Sequence, residues 1–197
     1  ITDVECHVLL APDYDASFTS SAQDSFIVII HTDGGVSGVG ECDANPWMAK
    51  ACLEAPGTHT MGLSLRDLLI GAAPSQIGVR CRTCYVGSAM NGRRGMVIHA
   101  LGAVEMALWD LCGKALGKPV VVVLMNGGAV GLAWAQEHAS AVLEAWYPGQ
   151  AGGQAIGQVL AGQADPGGRL PLTFYRSAAD LPPFDDYTMK GRTYRYF

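Results

Sequence analysis

The stretch from Met96 to Met125 constrains the fold more than any other part of the chain. Val97, Leu101, Val104, Leu108, Leu111 and Ala115 recur at spacings of three and four, which predicts one apolar stripe along a helix over 96–116. Asp110 and Lys114 stand one turn apart, placed for an i,i+4 ion pair. Gly117 tolerates the left-handed cap conformation and Pro119 cannot continue the ladder, so the helix must stop there. Without any linker the chain then enters Val120–Met125, a continuous apolar run rich in β-branched residues. Such a run predicts a strand covered on both faces, as in a parallel sheet.

The segment before the helix follows a different rule. Val4, Cys6, Val8 and Leu10 alternate with Asp3, Glu5 and His7, the period of a half-buried strand. A second strand over 26–31 joins a third over 36–41 through Thr32-Asp33-Gly34-Gly35, and Asp-Gly between two strand-like runs predicts a hairpin. The result is an antiparallel three-stranded meander. Ala11–Gln23 is long and turn-rich for a connection inside a domain, and Asp43–Trp47 reads as a loop after the hairpin.

Composition limits the function. Hydrophobic residues make up 49% of the 197 and charged ones only 16%, so a packed fold is required rather than disorder. A net charge of -5 without basic runs argues against nucleic acid and against an anionic membrane surface. With no signal segment or long apolar run seen, the expectation is a soluble cytoplasmic protein. The six cysteines lack the dense spacing of a secreted scaffold and are expected to be reduced, most of them buried. Cys81-Arg-Thr-Cys84 has the spacing of a metal or redox pair, but no second pair follows, so neither a metal nor a cofactor is expected.

"DGGVSGVGE" and "GRRGMVIHALGAVEMALWDLCGKALGKPV", with the order of strands and helices around them, resemble the N-terminal capping domain of the mandelate racemase and muconate lactonizing group of the enolase superfamily. The resemblance covers residues 1–119, and "NPWMAKA" and "GRRG" are similar to members acting on sugar acids. It implies that Ala11–Gln23 and Asp43–Lys50 shape a substrate pocket, closing as a lid over a β/α barrel. The chemistry of that group resides in the barrel, where lysine or histidine bases work beside magnesium held by three carboxylates. Only 78 residues follow Pro119, against roughly 250 for a whole barrel. Racemase or dehydratase chemistry would need a barrel from another chain.

Those last residues read as a parallel βαβαβ unit: strand 120–125, helix 132–139, strand 141–146, helix 153–160 and strand 170–174. "WYPGQAGGQAI" and "GRLPLTFY" resemble the α/β-sandwich domain of glycoside hydrolase family 3, the β-glucosidases and β-xylosidases, over 119–197. In that family the nucleophilic aspartate sits in a separate barrel domain, and the acid/base glutamate lies upstream of the strand matching 120–125. Both are outside the resembling segment. The chain therefore reads as an α+β chimera joined near Gly117–Val120, with domains 1–118 and 119–197.

Glu41 and Asp43, beside Asn45 and Trp47, are the candidate catalytic pair, because paired carboxylates next to an aromatic ring suit a sugar. A structural role for Glu41 is the ordinary alternative. Arg93 and Arg94 could hold a sugar acid's carboxylate by paired hydrogen bonds, against the alternative of a surface ion pair. Asn45 and Trp47 complete the expected substrate-binding set. Asp185 and Asp186 lie in a proline-rich loop, where solvated charge is the default. His99 and His138 have no nucleophile beside them in sequence, and the paired glycines at 127–128 and 152–153 fit no phosphate-binding pattern. Three readings compete: a hydrolase of small β-glycosides with a non-inherited site, a catalytically incomplete scaffold or sugar-binding module, and a subunit awaiting a barrel partner. Sticky surfaces left by missing neighbours imply a homo-oligomer, a dimer with an apolar interface.

Overall fold

The structure is a computed structural model, and it describes residues 1–17 and 23–192. It resolves into two compact units, Ile1–Lys118 and Pro119–Phe197. The connection Ala11–Gln23 falls partly outside the described residues.

In the first unit, strands β1 (Asp3–Leu10), β2 (Asp24–His31) and β3 (Ser37–Cys42) form an antiparallel meander in the order β1-β2-β3. The turn at 32–35 closes as the Asp-Gly signal predicts: Gly35 N–H donates to Thr32 O, with Gly35 at φ 75. Alternation sends Val4, Phe26, Val28, Ile30 and Cys42 into the core. The opposite face carries Glu5, His7, Ile27, Ile29, His31, Ser37, Val39 and Glu41.

Four helices cover the core face: α1 (Pro46–Glu54), α2 (Leu65–Leu69), α3 (Ile77–Gly87) and α4 (Met96–Ala115). Residues 46–47, expected in a loop, are helical instead. Asn45 caps that helix, its Oδ1 accepting from Met48 N–H at 3.1 Å, and Pro46 sits in the first turn, where its missing N–H costs nothing. α2 starts at a reciprocal box in which Ser64 Oγ accepts from Asp67 N–H and Asp67 Oδ2 from Ser64 N–H.

α4 is long and apolar enough to cross a membrane by length and composition. In this fold Val97, Leu101, Val104, Leu108 and Leu111 of its stripe are buried, with Ala100 beside them, while Ala115, expected on the stripe, is exposed at the helix end. The approach to β3 is close because Gly38 and Gly40 have no side chains: a Cβ on either would lie 1.9 Å from the carbonyl oxygen of Ala107 or Ala103, respectively. Asp110 binds Lys114 at 2.6 Å, as the spacing predicts, and also accepts Val39 N–H at 2.8 Å on the free edge of β3. The helix ends in a Schellman motif: Gly117, at φ 59, donates to Lys114 O and Lys118 to Gly113 O.

The second unit holds β4 (Val121–Leu124), α5 (Ala133–His138), β5 (Ala141–Glu144), α6 (Gly152–Leu160) and a 3-10 turn at Ala178–Asp180. β4 and β5 pair in parallel, Val121 opposite Ala141 and Leu124 opposite Glu144. The third strand expected over 170–174 does not form, so the unit is βαβα with a two-stranded sheet among the described residues. Pro171 lies within that run, lacks an N–H for the ladder and disfavours a paired strand there. The β4 run is not covered on both faces either: Val120 and Val121 are 43% and 42% exposed. Apolar character alone cannot supply the covering layers.

All six cysteines are free, but only Cys42 and Cys84 are buried, fewer than expected, because the others lie at the margins of the core.

Candidate functional site

Glu41 lies on the outer face of β3, opposite Ile27, and is exposed; Asp43 is exposed just past the strand's end. Between them Cys42 points inward, where burial, with the Glu41 and Asp43 charges adding, pushes its thiol up to about 11. Asn45 commits its side-chain oxygen to the α1 cap, and Trp47, in the first turn of α1, is 61% exposed. Arg93 and Arg94 are exposed on the turn before α4 and form no ion pair among the described residues. The principal cavities are lined by none of these six side chains. Asp186 has a local structural role: its Oδ1 accepts Thr188 N–H at 2.9 Å, and that bond holds its carboxyl below the usual range.

Cys81 and Cys84 share α3, and burial raises both thiols, Cys84 to about 12. Since the thiolate is the nucleophile and the metal ligand, that environment works against either use.

A site with built chemistry lies in the second unit. A cavity of about 430 Å³ is lined by Leu124, Val142, Glu144, Trp146, Arg169 and Phe174, among others. It includes the C-terminal ends of β4 and β5, the end at which open parallel sheets hold ligands. Its wall is aromatic: the Trp146 and Phe174 rings are 6.1 Å apart and tilted by 54°.

Trp146 adopts φ 53, a left-handed conformation that costs a non-glycine residue about 1–2 kcal/mol. Glu144 holds it there, Oε1 accepting Trp146 N–H at 2.9 Å. The other oxygen, Oε2, is buried without a partner. A buried acceptor with free lone pairs is costly unless a donor arrives. Arg169 lines the cavity from a loop it braces itself, donating to Gly167 O and Gly168 O at 3.2 and 2.9 Å. A neighbouring cavity of about 610 Å³, with Gln136, Thr173, Tyr175, Arg176 and Asp180, shares the Leu132 and Phe174 walls.

None of the second-unit site was picked out by sequence reasoning. The run Glu144-Ala145-Trp146 at the end of a parallel strand was the available signal.

Comparison with known proteins finds different families similar to the two parts of the chain. Residues 2–125 match the model of the mandelate racemase / muconate lactonizing enzyme N-terminal domain. Residues 100–196 match the glycosyl hydrolase family 3 C-terminal domain, and the overlap contains Gly117–Val120. The chain is 51% identical over 84 residues to a xylan 1,4-beta-xylosidase of Xylanibacter ruminicola, covering 43% of this chain and 10% of that protein. It is 44% identical over 81 residues to a periplasmic beta-glucosidase of Salmonella typhimurium, covering 41% and 11%. It thus spans about a tenth of the length of these relatives. Among solved structures, a predicted mandelate racemase from Rhodobacter sphaeroides aligns with TM-score 0.51 at 23% identity, over 75% of this chain and 42% of that one. A putative racemase aligns with the same score and identity over 70% and 38%. At such identity the likeness concerns the fold.

Proposed function

From a chain that belongs to the mandelate racemase / muconate lactonizing enzyme N-terminal domain family and carries a glycosyl hydrolase family 3-like segment after it, we propose a carbohydrate-binding protein whose second unit holds a pyranoside. The observation that carries this reading is Glu144 Oε2, buried and unpartnered beside Trp146 in the aromatic-walled cavity. A sugar ring offers the two surfaces that the cavity asks for: C–H groups to lie against Trp146 and Phe174, and hydroxyls to donate to Glu144. Arg169 donates to ring or hydroxyl oxygens, and the adjoining cavity gives room for a second ring.

Binding is favoured over cleavage by the carboxylate inventory. Retaining glycosidases use two carboxyl groups about 5 Å apart. Among the described residues, Glu144 is the one acid lining this cavity. A second reading, hydrolysis of small β-glycosides, is supported by the 51% identity to a xylosidase, and it would draw on Glu41 and Asp43. Self-association through the open edges of β4 and β5 belongs to the same proposal, and a single-chain mass in light scattering overturns it.

Titration calorimetry of the intact chain with xylose, glucose and xylobiose tests the main reading. Millimolar or tighter binding that weakens about tenfold in Trp146→Ala and Glu144→Gln is expected; no heat with any of the three sugars overturns it. Turnover of aryl β-xylosides that falls in Glu41→Gln or Asp43→Asn would instead establish the hydrolase.

A further inference from the structure

The outer face of the first sheet carries a second set of groups, independent of the sugar cavity. Its register places Asp3, His31 and Ser37 in one row across the three strands, Glu5, Ile29 and Val39 in the next, and His7, Ile27 and Glu41 in the third. Within this grid His31 Nδ1 lies 2.8 Å from Ser37 Oγ and His31 Nε2 lies 3.1 Å from Glu5 Oε2. Hydroxyl, imidazole and carboxylate form one hydrogen-bonded chain, with base and nucleophile in contact and the base oriented by a third group.

The carboxylate settles which ring nitrogen carries the proton. Glu5 accepts only, so a bare Nε2 lone pair against it would be repulsive, and the hydrogen belongs on Nε2. Nδ1 is then free to accept from Ser37 O–H. That is the tautomer a general base needs. His7 Nε2 approaches the same carboxylate at 3.8 Å from the far side, so Glu5 lies between two imidazoles.

We propose that Ser37 is a nucleophile for acyl transfer, with His31 as its general base and Glu5 as a positioning residue. Ser37 Oγ attacks the carbonyl carbon of an ester as its proton passes to His31 Nδ1. The tetrahedral adduct collapses, expelling the alcohol or phenol oxygen, which takes the proton from His31. Water then attacks the acyl-serine, gives a proton to His31, and the carboxylic acid leaves as Ser37 Oγ regains it. Ester and water become acid and alcohol, with no change of oxidation state.

The surroundings narrow the ester class. Ile29 and Val39, paired directly beside His31 and Ser37, offer a flat apolar seat for an acyl or aryl group. The site is open, His31 being 34% and Glu5 52% exposed, so a developing oxyanion is stabilised weakly in high dielectric. Reactivity is therefore confined to acyl donors with good leaving groups, such as aryl esters of short acids.

Treatment of the intact chain with a fluorophosphonate, followed by peptide mass mapping, tests the nucleophile. One adduct on Ser37 is expected, absent in Ser37→Ala and formed about 10²-fold more slowly in His31→Gln. With p-nitrophenyl acetate, Glu5→Gln should lower kcat and leave KM unchanged in a chain whose circular dichroism and urea unfolding match the parent's, so that a smaller folded fraction does not account for the loss. Circular dichroism of each variant checks the sheet, since Ser37 and His31 lie on its solvent face. No adduct at Ser37, or the same labelling rate in His31→Gln as in the parent chain, overturns the proposal. Sugar binding at the second unit is unaffected by either result.

Discussion

Residues 1–118 and 119–192 contain similarly apolar strands and helices, yet they are organised oppositely. Among the described residues, every buried apolar side chain except that of Ala135 belongs to the first unit. There, a sheet face and four helices close on each other, so the alternation of β2 and the stripe of α4 find partners. In the second unit β4 and β5 have two open edges, and Trp134, Tyr147, Phe184 and Tyr187 are 66–90% exposed. Apolar sequence is necessary for a core; a complementary layer is what makes one.

The contrast can be broken most severely at Gly40. Gly40→Val would drive side-chain atoms into the Ala103 carbonyl, and a cost of about 3 kcal/mol or more is expected, read as loss of the first unit's far-ultraviolet dichroism. A Gly40→Val chain with unaltered dichroism would show that α4 can retreat from β3. Leu108→Ala removes a fully buried side chain from α4 and should cost about 3 kcal/mol in urea unfolding. Gly117→Ala, at φ 59, should cost about 1 kcal/mol by the same measurement, because the left-handed cap then carries a Cβ.

Leu143→Ala, in the half-buried β5, sharpens the comparison from the other side, with an expected cost of about 0.5 kcal/mol or less. A loss there equal to that of Leu108→Ala would contradict the coreless description. The last effect is silent at neutral pH. Burial raises the thiols of Cys6 and Cys84 from 9.0 to about 12, so folding favours their protonated form. That contribution is complete below pH 9 and is lost as pH rises towards 12, so melting temperature should fall across this window, less steeply in Cys84→Ala.

What was legible in the sequence follows the same division. The α4 stripe from Val97 to Leu111, its Asp110–Lys114 pair, the Gly117 stop and the Asp33-Gly34 hairpin are local signals that formed as read, whereas Ala115, expected on the stripe, is exposed where the helix runs out of core to cover. Asn45-Pro46 has the turn-forming composition of a loop, yet asparagine before proline is also a cap-and-first-turn signal, and the helix takes that second use. Leu170–Phe174 has the apolar content of a strand, but Pro171 withholds the N–H that a ladder needs. The two sites were harder for a different reason. His31, Ser37 and Glu5 meet only through the register of three strands, and the Glu144 cavity is finished by loop residues 166–174, which have no period. Glu41, Asp43, Trp47, Arg93 and Arg94 are linked by residue type and nearness in sequence, which do not determine a shared cavity.

The glycine pair of β3 acts as a vernier. Two residues advance a strand by about 6.8 Å, whereas four residues advance a helix by 6.0 Å. Gly38 over the Ala107 carbonyl and Gly40 over that of Ala103 are one such step on each ruler, running in opposite chain directions. The two scales differ by about 0.8 Å per step, so they coincide over two marks and have drifted apart by the third. There the strand has Cys42, with a side chain, in the core. The alignment of helix on sheet is thus written in the backbone, and the surrounding side chains can be exchanged without sliding one element along the other.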